Sequence, residues 1–522
     1  MSDWILYTSL FFNCLLLLYY WFPKTNLKTI FLSYIIRKAV PNKKLLYYLP
    51  YFGDKIFKDL TDFQNARKDI KLNVLKARDL ENIFDKLPNK GISHDLILSE
   101  VDKVKSNSKK ELWKISGAVY IDDNEHLELM KKVNNQVLYT NPLHDLWPQL
   151  KKCKSEIISM IKHKYNGNNN VCGTMTSGGT MSILAGMYSY REYYNIKNPQ
   201  IILSEHAHPS YWKACKYFNL TPIVIKVDET CCMKASDIQT YINYRTICIV
   251  VSAPNYASGV CDNIQEIAQL ADEYKIGCHV DACLGGGLLP WAKEIVEIPN
   301  FDFSVRGVTS ISIDTHKYFY SPKGSSVILF KNRQLRNKLT FTKLDWSGGF
   351  YVTPEFVGSS SGNHIMDTWA SLLAFGDEGF RNKAHGIIKL RQKLQSELLL
   401  IPQIQIIGNP QLSVIALTSD TINMHSVQDR LTEKGWYFNS LQNPVGFHFC
   451  ITSTQLNQPD FVEIFILDLK ESLSYPSETS KTCKLYASTA SIPKMLFPTL
   501  TEEIGQWHVY CEEAFTSPNQ LN

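Results

Sequence analysis

Short apolar runs alternate with amphipathic stretches between residues 170 and 330 of this 522-residue chain. Runs rich in β-branched residues indicate buried strands, and the amphipathic stretches between them indicate helices. Because strands joined by helices pair in parallel, the pattern predicts an α/β fold whose mostly parallel sheet is covered by helices on both faces. Ligands bind beyond the carboxyl ends of the strands in such sheets. The predicted strands span residues 201–204, 223–227, 247–252, 278–280, 308–313 and 326–330.

A smaller region of mixed structure is predicted beyond residue 375. Its β-rich runs at 404–407, 413–417 and 447–452 have helical patterns between them. The composition, 44% hydrophobic and 20% charged, is typical of a globular protein, and the length allows a large core plus a smaller domain. We therefore predict a large domain at residues 111–375 and a smaller C-terminal α+β domain at 376–522.

The first 23 residues have the composition of a membrane anchor. Residues 4–22 carry no charge, and as a helix they would extend roughly 28 Å, close to the thickness of the hydrocarbon core. Aromatic residues lie at both ends of this stretch, as is common at membrane interfaces. A cleaved signal peptide is the alternative, but the stretch lacks a basic region before it and a small-x-small site after it. We predict one transmembrane helix within residues 1–23, followed by a juxtamembrane and N-terminal segment at 24–110.

The basic surplus of the chain lies beside this predicted anchor. Residues 1–50 contain six Lys and Arg against one Asp, and the remainder carries 49 basic and 49 acidic residues. The positive-inside rule therefore places the body in the cytosol and the N-terminus in the lumen. A nucleic-acid surface would need a basic patch on the folded body, so we expect no nucleic-acid partner. The 13 cysteines lack the spacing of metal ligands, and we expect reduced thiols and no metal.

The most informative segment is SISIDTHKYFYSPKGSS at residues 310–326. A predicted strand ends at Ile313 and brings Lys317 to the carboxyl edge of the sheet, where a desolvated lysine can form an imine with an aldehyde cofactor. Asp281 ends another β run, and a carboxylate there can keep a pyridine nitrogen protonated, which makes the ring an electron sink. Each residue alone has a simpler explanation, a surface charge for Lys317 and a helix cap for Asp281.

Two further elements precede these residues along the chain. TSGGT at 176–180 is a glycine-rich turn before a helical stretch, and its N–H groups together with the helix dipole suit a phosphate. His208 follows the strand at 201–204, and its imidazole could stack on a flat ring. Glycine turns and loop histidines are common by themselves. Their order with Asp281 and Lys317, however, is that of a fold-type I enzyme dependent on pyridoxal 5′-phosphate (PLP), the cofactor that we predict.

Eight segments in chain order carry a family resemblance: SGAVY (116–120), NPLH (141–144), TSGGT, HVDACLGG (279–286), VTSISIDTHKYFYSPKGSS (308–326), GNPQLSVIAL (408–417), KGW (434–436) and HFCIT (448–452). They resemble, in the same order, segments of sphingosine-1-phosphate lyases over roughly residues 110–490. These lyases are relatives of the PLP-dependent group II decarboxylases, which generally lack NPLH and GNPQLSVIAL. The resemblance implies the fold-type I PLP-dependent transferase fold, an anchor in the endoplasmic reticulum membrane and a homodimer with shared active sites.

The resemblance also implies roles for individual residues. Lys317 matches the lysine that forms the Schiff base, Asp281 the partner of the pyridine nitrogen and His208 the residue stacked on the ring. The positions around the cofactor phosphate match Gly179, Thr180, His316 and, from the other subunit of the dimer, Ser359. The positions that face the substrate, particularly its phosphate, match Tyr120, Asn141, His144 and Lys323, and Tyr486 matches a tyrosine near the site.

Three segments depart from the family pattern. Met181 replaces the glutamate of TSGGTES, an acid that related decarboxylases also lack. The family's GSRPG reads GSSSG at 358–362, so Ser360 replaces an arginine and Ser361 a proline. Ser258 stands where the family tends to have an aromatic or imidazole ring. The last two departures bear on the handling of substrate and not on the attachment of the cofactor.

The implied reaction is cleavage of the C2–C3 bond of sphingosine 1-phosphate or dihydrosphingosine 1-phosphate to a long-chain aldehyde and ethanolamine phosphate. Such a substrate is a lipid, which accords with a membrane anchor beside the site. Two alternatives stay open at this point. One is a catalytically weak paralogue that binds phosphorylated long-chain bases, for which the loss of the arginine at Ser360 is the main argument. The other is a PLP-dependent amino-acid decarboxylase.

Overall fold

The computed structural model describes residues 86–106 and 111–475 and three positions near the C-terminus, 501, 505 and 509. The predicted anchor within residues 1–23 and Tyr486 lie outside the described residues. Within the described ranges, no helix has the length and hydrophobicity needed to cross a membrane. The chain divides into two compact units, and nearly all described residues belong to the unit Glu111–Pro476. The other unit is described mainly through one helix, α1 (His94–Ser106).

A seven-stranded sheet forms the centre of the unit Glu111–Pro476. Its strands are β1 (Cys172–Thr176), β2 (Gln200–Ser204), β3 (Thr221–Ile225), β4 (Thr246–Ser252), β5 (Gly277–Asp281), β6 (Ser310–Ile313) and β7 (Ser326–Phe330). The strand order is β1-β7-β6-β5-β4-β2-β3. The strands from β3 to β6 in this order are parallel, whereas β7 is antiparallel to both of its neighbours. The prediction of a mostly parallel sheet is therefore confirmed.

Helices cover both faces of this sheet. The helices in this part of the chain are α2 (Asn124–Val137), α3 (Pro148–Lys164), α4 (Gly179–Tyr194), α5 (Ser210–Phe218), α6 (Ala235–Gln239), α7 (Ile264–Glu273), α8 (Leu289–Ala292) and α9 (Arg333–Asn337). Successive side chains of a strand face opposite sides of the sheet. Along β2, Ile201 and Leu203 accordingly pack in a cluster with residues of α4 and α5, whereas Ile202 packs in a second cluster with residues of α3 and α7. Burial on both faces explains why strands such as β2 (QIILS) and β7 (SVILF) contain continuous apolar runs.

A separate antiparallel sheet lies nearer the C-terminus. Its strands are β10 (Gln405–Ile406), β11 (Val414–Thr418), β12 (Asn439–Gln442) and β13 (Val445–Cys450), in the order β10-β11-β13-β12. It is accompanied by α11 (Met424–Glu433), α12 (Ser453–Leu456) and α13 (Phe461–Ser474). Strands β10, β11 and β13 correspond to the predicted runs, and the mixture of antiparallel strands and helices is the expected α+β character.

Two elements connect the sheets along the chain. A hairpin of β8 (Phe341–Lys343) and β9 (Tyr351–Thr353) precedes the long helix α10 (Asn363–Leu398). Helix α10 is interrupted at Gly376, where φ is 57°, a left-handed value that glycine adopts without strain. The predicted domain boundary after residue 375 falls at this interruption, and the division into two domains stays a prediction.

Candidate active site

Several predicted site residues line one cavity at the carboxyl edge of the large sheet. Strand β5 ends at Asp281, and the loop after β6 carries Lys317. The glycine turn between β1 and α4 contributes Gly179, and the loop between β2 and α5 contributes His208. All four residues line a cavity of about 500 Å³, which is within the size range of small-molecule sites. The structure thus brings together residues that are distant in sequence, as the parallel sheet predicts.

Lys317 forms an ion pair with Asp314 in this cavity. Its Nζ lies 3.0 Å from Oδ2 of Asp314, and the side chain is 24% exposed against 3% for Asp314. Burial by itself lowers the pKa of Lys317, but the Asp314 carboxylate together with the nearby Tyr120 and Cys283 holds that pKa above its usual value. The other Asp314 oxygen, Oδ1, is buried and has no hydrogen-bond partner among the described residues. The lysine is therefore preorganised by a carboxylate with unused hydrogen-bonding capacity.

Asp281 is held in place by hydrogen bonds from two neighbouring residues. Its Oδ1 accepts hydrogen bonds from the Cys283 backbone N–H at 3.1 Å and from the Ser312 hydroxyl at 3.4 Å. Both donors lie at the carboxyl edge, so they hold the carboxylate in a set direction. A carboxylate positioned in this way can pair with a protonated ring nitrogen.

The glycine turn leaves no room for a side chain at its second glycine. A Cβ on Gly179 would lie 2.6 Å from Asp314 Oδ1 and 2.8 Å from Asp314 Oδ2, distances that are too short for real contacts. Gly178 has a φ of 116°, a value that other residues rarely adopt. Helix α4 begins at Gly179, so its N-terminal N–H groups and helix dipole are directed to this turn. The turn therefore has the form of an anion-binding site.

A chain of hydrogen bonds connects this turn to His208. The Thr180 hydroxyl lies 2.9 Å from the Ser210 hydroxyl, which in turn lies 2.9 Å from Nδ1 of His208. Burial lowers the pKa of His208, so a neutral imidazole is favoured. A neutral, oriented ring can stack on a flat cofactor.

His316 lies beside the turn on the other side. Its Nδ1 donates to the Ser325 backbone carbonyl at 2.6 Å, and its Nε2 is 3.6 Å from Asp314 Oδ2. Burial lowers the pKa of His316. Both contacts tie the imidazole to the loop that carries Lys317.

The predicted substrate residues divide between the cavity and the surface. Tyr120 lines the cavity, and Lys323 places its Nζ 4.4 Å from the centroid of the Tyr120 ring. Asn141 is partly buried in a turn, where its side chain accepts from the Leu143 N–H at 3.0 Å, and His144 is exposed. Ser359 is also exposed. Asn141, His144 and Ser359 are not among the residues that line this cavity within one chain.

Some residues of the cavity wall were not predicted from the sequence. Tyr256 follows β4, and His448 and Cys450 are alternate residues of β13, so both face the same side of that strand. Their signal was present in HFCIT, a matched motif to which no role was assigned. Asp314 precedes Lys317 by three residues in the same loop, and the ion pair between them could not be read from spacing alone.

The chemistry of these side chains fits PLP. One cavity contains an amine, a carboxylate at the end of a neighbouring strand, an imidazole, and a glycine turn at a helix N-terminus. These are the groups that hold an aldehyde, a pyridine nitrogen, an aromatic ring and a phosphate, respectively. Within the described ranges, no group of three or more His, Cys, Asp and Glu side chains is arranged to hold a metal ion.

Comparison with known proteins gives a consistent result. Residues 160–418 match the pyridoxal-dependent decarboxylase conserved domain. The chain is 37% identical to a sphingosine-1-phosphate lyase of Dictyostelium discoideum over 455 residues, which cover 83% of this chain and 84% of the relative. It is 36% identical to sphingosine-1-phosphate lyase 1 of Rattus norvegicus over 494 residues, which cover 92% and 86% of the two chains.

Solved structures extend the comparison to the fold. A sphingosine-1-phosphate lyase from Burkholderia pseudomallei aligns with a TM-score of 0.74 at 32% identity, covering 82% of this chain and 98% of that one. A glutamate decarboxylase from Lactobacillus brevis aligns with a TM-score of 0.65 at 19% identity, covering 76% and 96%. The second likeness shows the fold alone.

Proposed function

The chain belongs to the sphingosine-1-phosphate lyase family, and from this premise we propose that the cavity at the sheet edge binds PLP and cleaves phosphorylated long-chain bases. The enzyme is a PLP-dependent lyase that breaks the C2–C3 bond of sphingosine 1-phosphate or its dihydro form. The products are a long-chain aldehyde and ethanolamine phosphate. The observation that carries the assignment is the convergence of Lys317, Asp281, His208 and Gly179 on one cavity.

Five parts of the site would hold the cofactor. Lys317 would bind it covalently through Nζ, and Asp281 would keep a proton on its ring nitrogen. His208 would lie against the ring, supported by its hydrogen bond to Ser210. The turn at Gly179 and Thr180, together with His316, would bind the phosphate. When bound, PLP supplies the electron sink that accepts the electron pair of the broken C2–C3 bond.

The substrate phosphate is assigned to the side of the cavity at Tyr120. The Lys323 ammonium stands over the Tyr120 ring, and burial followed by repulsion from Lys317 lowers the pKa of Lys323 to about 8. Lys323 is therefore still charged at neutral pH and can pair with a phosphate. Tyr120 is buried, which raises the pKa of its hydroxyl, so the hydroxyl stays protonated and can donate a hydrogen bond.

Asn141, His144 and Ser359 are assigned to shared sites of a homodimer. Their position away from the cavity of their own chain is what residues that serve the other subunit would show. Ser359 would then contact the cofactor phosphate of the partner, as the family pattern implies, and Asn141 and His144 would face substrate. Tyr486 is assigned to the neighbourhood of the site on the resemblance alone.

The membrane assignment rests on the sequence. The uncharged stretch at residues 4–22 is long enough to span, and the six basic residues that follow it favour a cytosolic body. The endoplasmic reticulum follows from the family resemblance, with the N-terminus in the lumen. An anchor keeps the site close to a substrate that resides in the bilayer.

The function is tested by incubating purified protein with PLP and sphingosine 1-phosphate. Long-chain aldehyde and ethanolamine phosphate should form in equal amounts. Lys317→Ala should abolish both aldehyde release and the visible absorbance of bound PLP, because no other amine lines the cavity among the described residues. Lys338→Ala removes an exposed lysine from the same part of the chain and should change neither.

Three results would contradict the proposal in different ways. Release of carbon dioxide from an amino acid, without aldehyde, would identify a decarboxylase. Bound PLP without any aldehyde at saturating substrate would identify the weak paralogue. Visible absorbance that persists in Lys317→Ala would show that another residue holds the cofactor.

A further inference from the structure

His448 presents an unused hydrogen-bonding atom at the wall of the cavity. The residue is 1% exposed and lines the cavity together with Lys317 and Cys450. Its Nδ1 lies 3.3 Å from the backbone carbonyl of Ala257. Its Nε2 is buried and has no hydrogen-bond partner among the described residues. A buried polar atom without a partner is costly, so it points to a ligand group that completes it.

The Ala257 carbonyl determines which group Nε2 can bind. A carbonyl oxygen only accepts hydrogen bonds, so Nδ1 must carry the ring hydrogen. Burial lowers the pKa of His448 to about 4, and the ring is neutral at physiological pH. In the neutral ring with hydrogen on Nδ1, Nε2 holds a lone pair. His448 therefore requires a hydrogen-bond donor from the substrate and not an anion such as phosphate.

The direction of β13 places His448 apart from the phosphate side of the cavity. Cys450 lies on the same face of the strand, and its Sγ is 3.2 Å from the Tyr318 hydroxyl. The rings of Tyr318 and Tyr120 are 4.9 Å apart, and Lys323 stands over Tyr120. Cys450 thus marks the end of the wall where the phosphate is assigned. His448 lies two residues back along the strand, about 7 Å away.

The substrate has one hydroxyl that matches this position. In a phosphorylated long-chain base, C1 carries the phosphate, C2 the amine that reacts, and C3 the hydroxyl. The C3 hydroxyl is a donor and is separated from the phosphate-bearing carbon by C2 alone. If the phosphate binds beside Tyr120 and Lys323, the hydroxyl would extend along β13 away from Cys450.

The neighbouring turn explains why His448 is needed for this contact. Ser258, where the family tends to have a ring, is fully buried and donates its hydroxyl to Asn255 Oδ1 at 2.9 Å. Its backbone N–H donates to the same oxygen at 2.8 Å. Ser258 is therefore engaged within the turn and does not line the cavity. The adjacent Ala257 carbonyl is the group that orients His448.

We infer that His448 Nε2 accepts a hydrogen bond from the substrate C3 hydroxyl. This contact would position C3, one of the two carbons of the bond that is broken. This inference rests on the proposed function, because it names the residue that contacts one group of that substrate. It assigns His448 to substrate binding at the reacting carbon. The Tyr256 ring, 4.7 Å from the His448 ring, packs against it and limits its movement.

The experiment compares two ligands on two proteins. The ligands are dihydrosphingosine 1-phosphate and its 3-deoxy analogue, which lacks the hydroxyl and acts as a competitive inhibitor. His448→Phe keeps a ring of similar size but removes the acceptor. We expect kcat/KM for the substrate to fall roughly tenfold or more, the effect of losing one hydrogen bond. The inhibition constant of the 3-deoxy analogue should change less than about twofold, since that ligand never makes the bond.

Two controls separate this role from a structural one. His425 is a buried histidine of α11 whose Nε2 contacts the Leu441 carbonyl at 2.8 Å, outside the cavity. His425→Phe should affect both ligands alike. His448→Gln retains an amide donor and an acceptor oxygen and should recover part of the discrimination. PLP absorbance and thermal unfolding of each variant show whether it is folded and loaded.

The outcomes are distinct. Equal losses for both ligands in His448→Phe would overturn the inference and identify His448 as a structural residue. Unchanged kinetics would overturn it as well. Failure of the wild-type protein to release aldehyde would refute the proposed function itself, and that result is obtained before any variant is compared.

Discussion

The ion pair of Lys317 and Asp314 should stabilise the cofactor-free protein in a way that mutation of either residue reveals. The two charges are 3.0 Å apart, and Asp314 is almost fully buried whereas Lys317 is 24% exposed. Lys317→Met removes the ammonium but keeps a chain of similar length. Asp314→Asn removes the charge but keeps the shape. The double variant removes both charges and leaves two neutral side chains.

The exposed fractions predict unequal effects. Breaking a buried ion pair by removing one partner costs about 3 to 5 kcal/mol, because the remaining charge is left uncompensated. In Lys317→Met that charge is a carboxylate with 3% exposure whose Oδ1 already has no described partner, so we expect about 4 kcal/mol. In Asp314→Asn the ammonium retains contact with water, so we expect about 2 to 3 kcal/mol. The double variant should lose about 1 to 2 kcal/mol, less than either single change.

The measurement is urea unfolding of the cofactor-free proteins at neutral pH and one protein concentration. The free energies of unfolding of the four proteins give a coupling energy, which we expect to be about 4 to 6 kcal/mol from these three losses. Lys338→Met, a change of an exposed lysine, serves as the control and should stay within about 0.5 kcal/mol of wild type. Additive single effects would refute the reasoning, since they would mean that each charge is solvated independently. A larger loss in Asp314→Asn than in Lys317→Met would refute the argument from burial.

Three further predictions address substrate and membrane. Ser360→Arg should lower KM by about tenfold to 150-fold, which is the effect of one hydrogen bond to a charged group. The change in kcat should be smaller, because such a bond stabilises the ground state and the transition state alike. Equal KM values in the two proteins would show that position 360 does not reach the phosphate. Because the pKa of Lys323 is lowered to about 8, its charge is present below that pH and lost above it. KM should therefore rise above pH 8 in the wild-type protein but not in Lys323→Arg. The same rise in both proteins would assign the titration to another group. Deletion of residues 1–23 should leave the protein in the supernatant with the same PLP absorbance, and absorbance lost on deletion would place part of the site in that segment.

Strands of the large sheet were predictable from the sequence where both of their faces are buried. Strands β2, β4 and β7 are buried along their whole length, and each contains a run of at least three apolar residues that stands out from its surroundings. Strand β1 reads CGTMT and β12 reads NSLQ, and neither was predicted. Both contain polar or small residues that are stabilised by their partners in the sheet and not by their own composition. The antiparallel direction of β7 likewise follows from its short connection to β6, which a pattern of hydrophobicity does not reveal.

The site residues that follow strands of the large sheet were predictable from the sequence. Asp281 and Lys317 follow neighbouring parallel strands, so their approach to one another follows from topology. His448 is different, because it reaches the cavity from the antiparallel sheet and is oriented by a carbonyl 191 residues earlier in the chain. No periodicity or motif spacing reports such a contact. The cofactor side of the site was therefore accessible to sequence reasoning, and the substrate side largely was not.

This division has a chemical consequence. A glutamate decarboxylase shares the fold at 19% identity, so an edge of this kind does not by itself decide which bond of a substrate is broken. That choice must come from the groups that hold the substrate against the cofactor, and we propose that these are Tyr120 and Lys323 at one end and His448 at the other. A wall that binds a phosphate beside C1 and a hydroxyl on C3 fixes both ends of the C2–C3 unit. Cleavage of that bond then follows from the position of the substrate, with the electron sink in common with other enzymes of the fold.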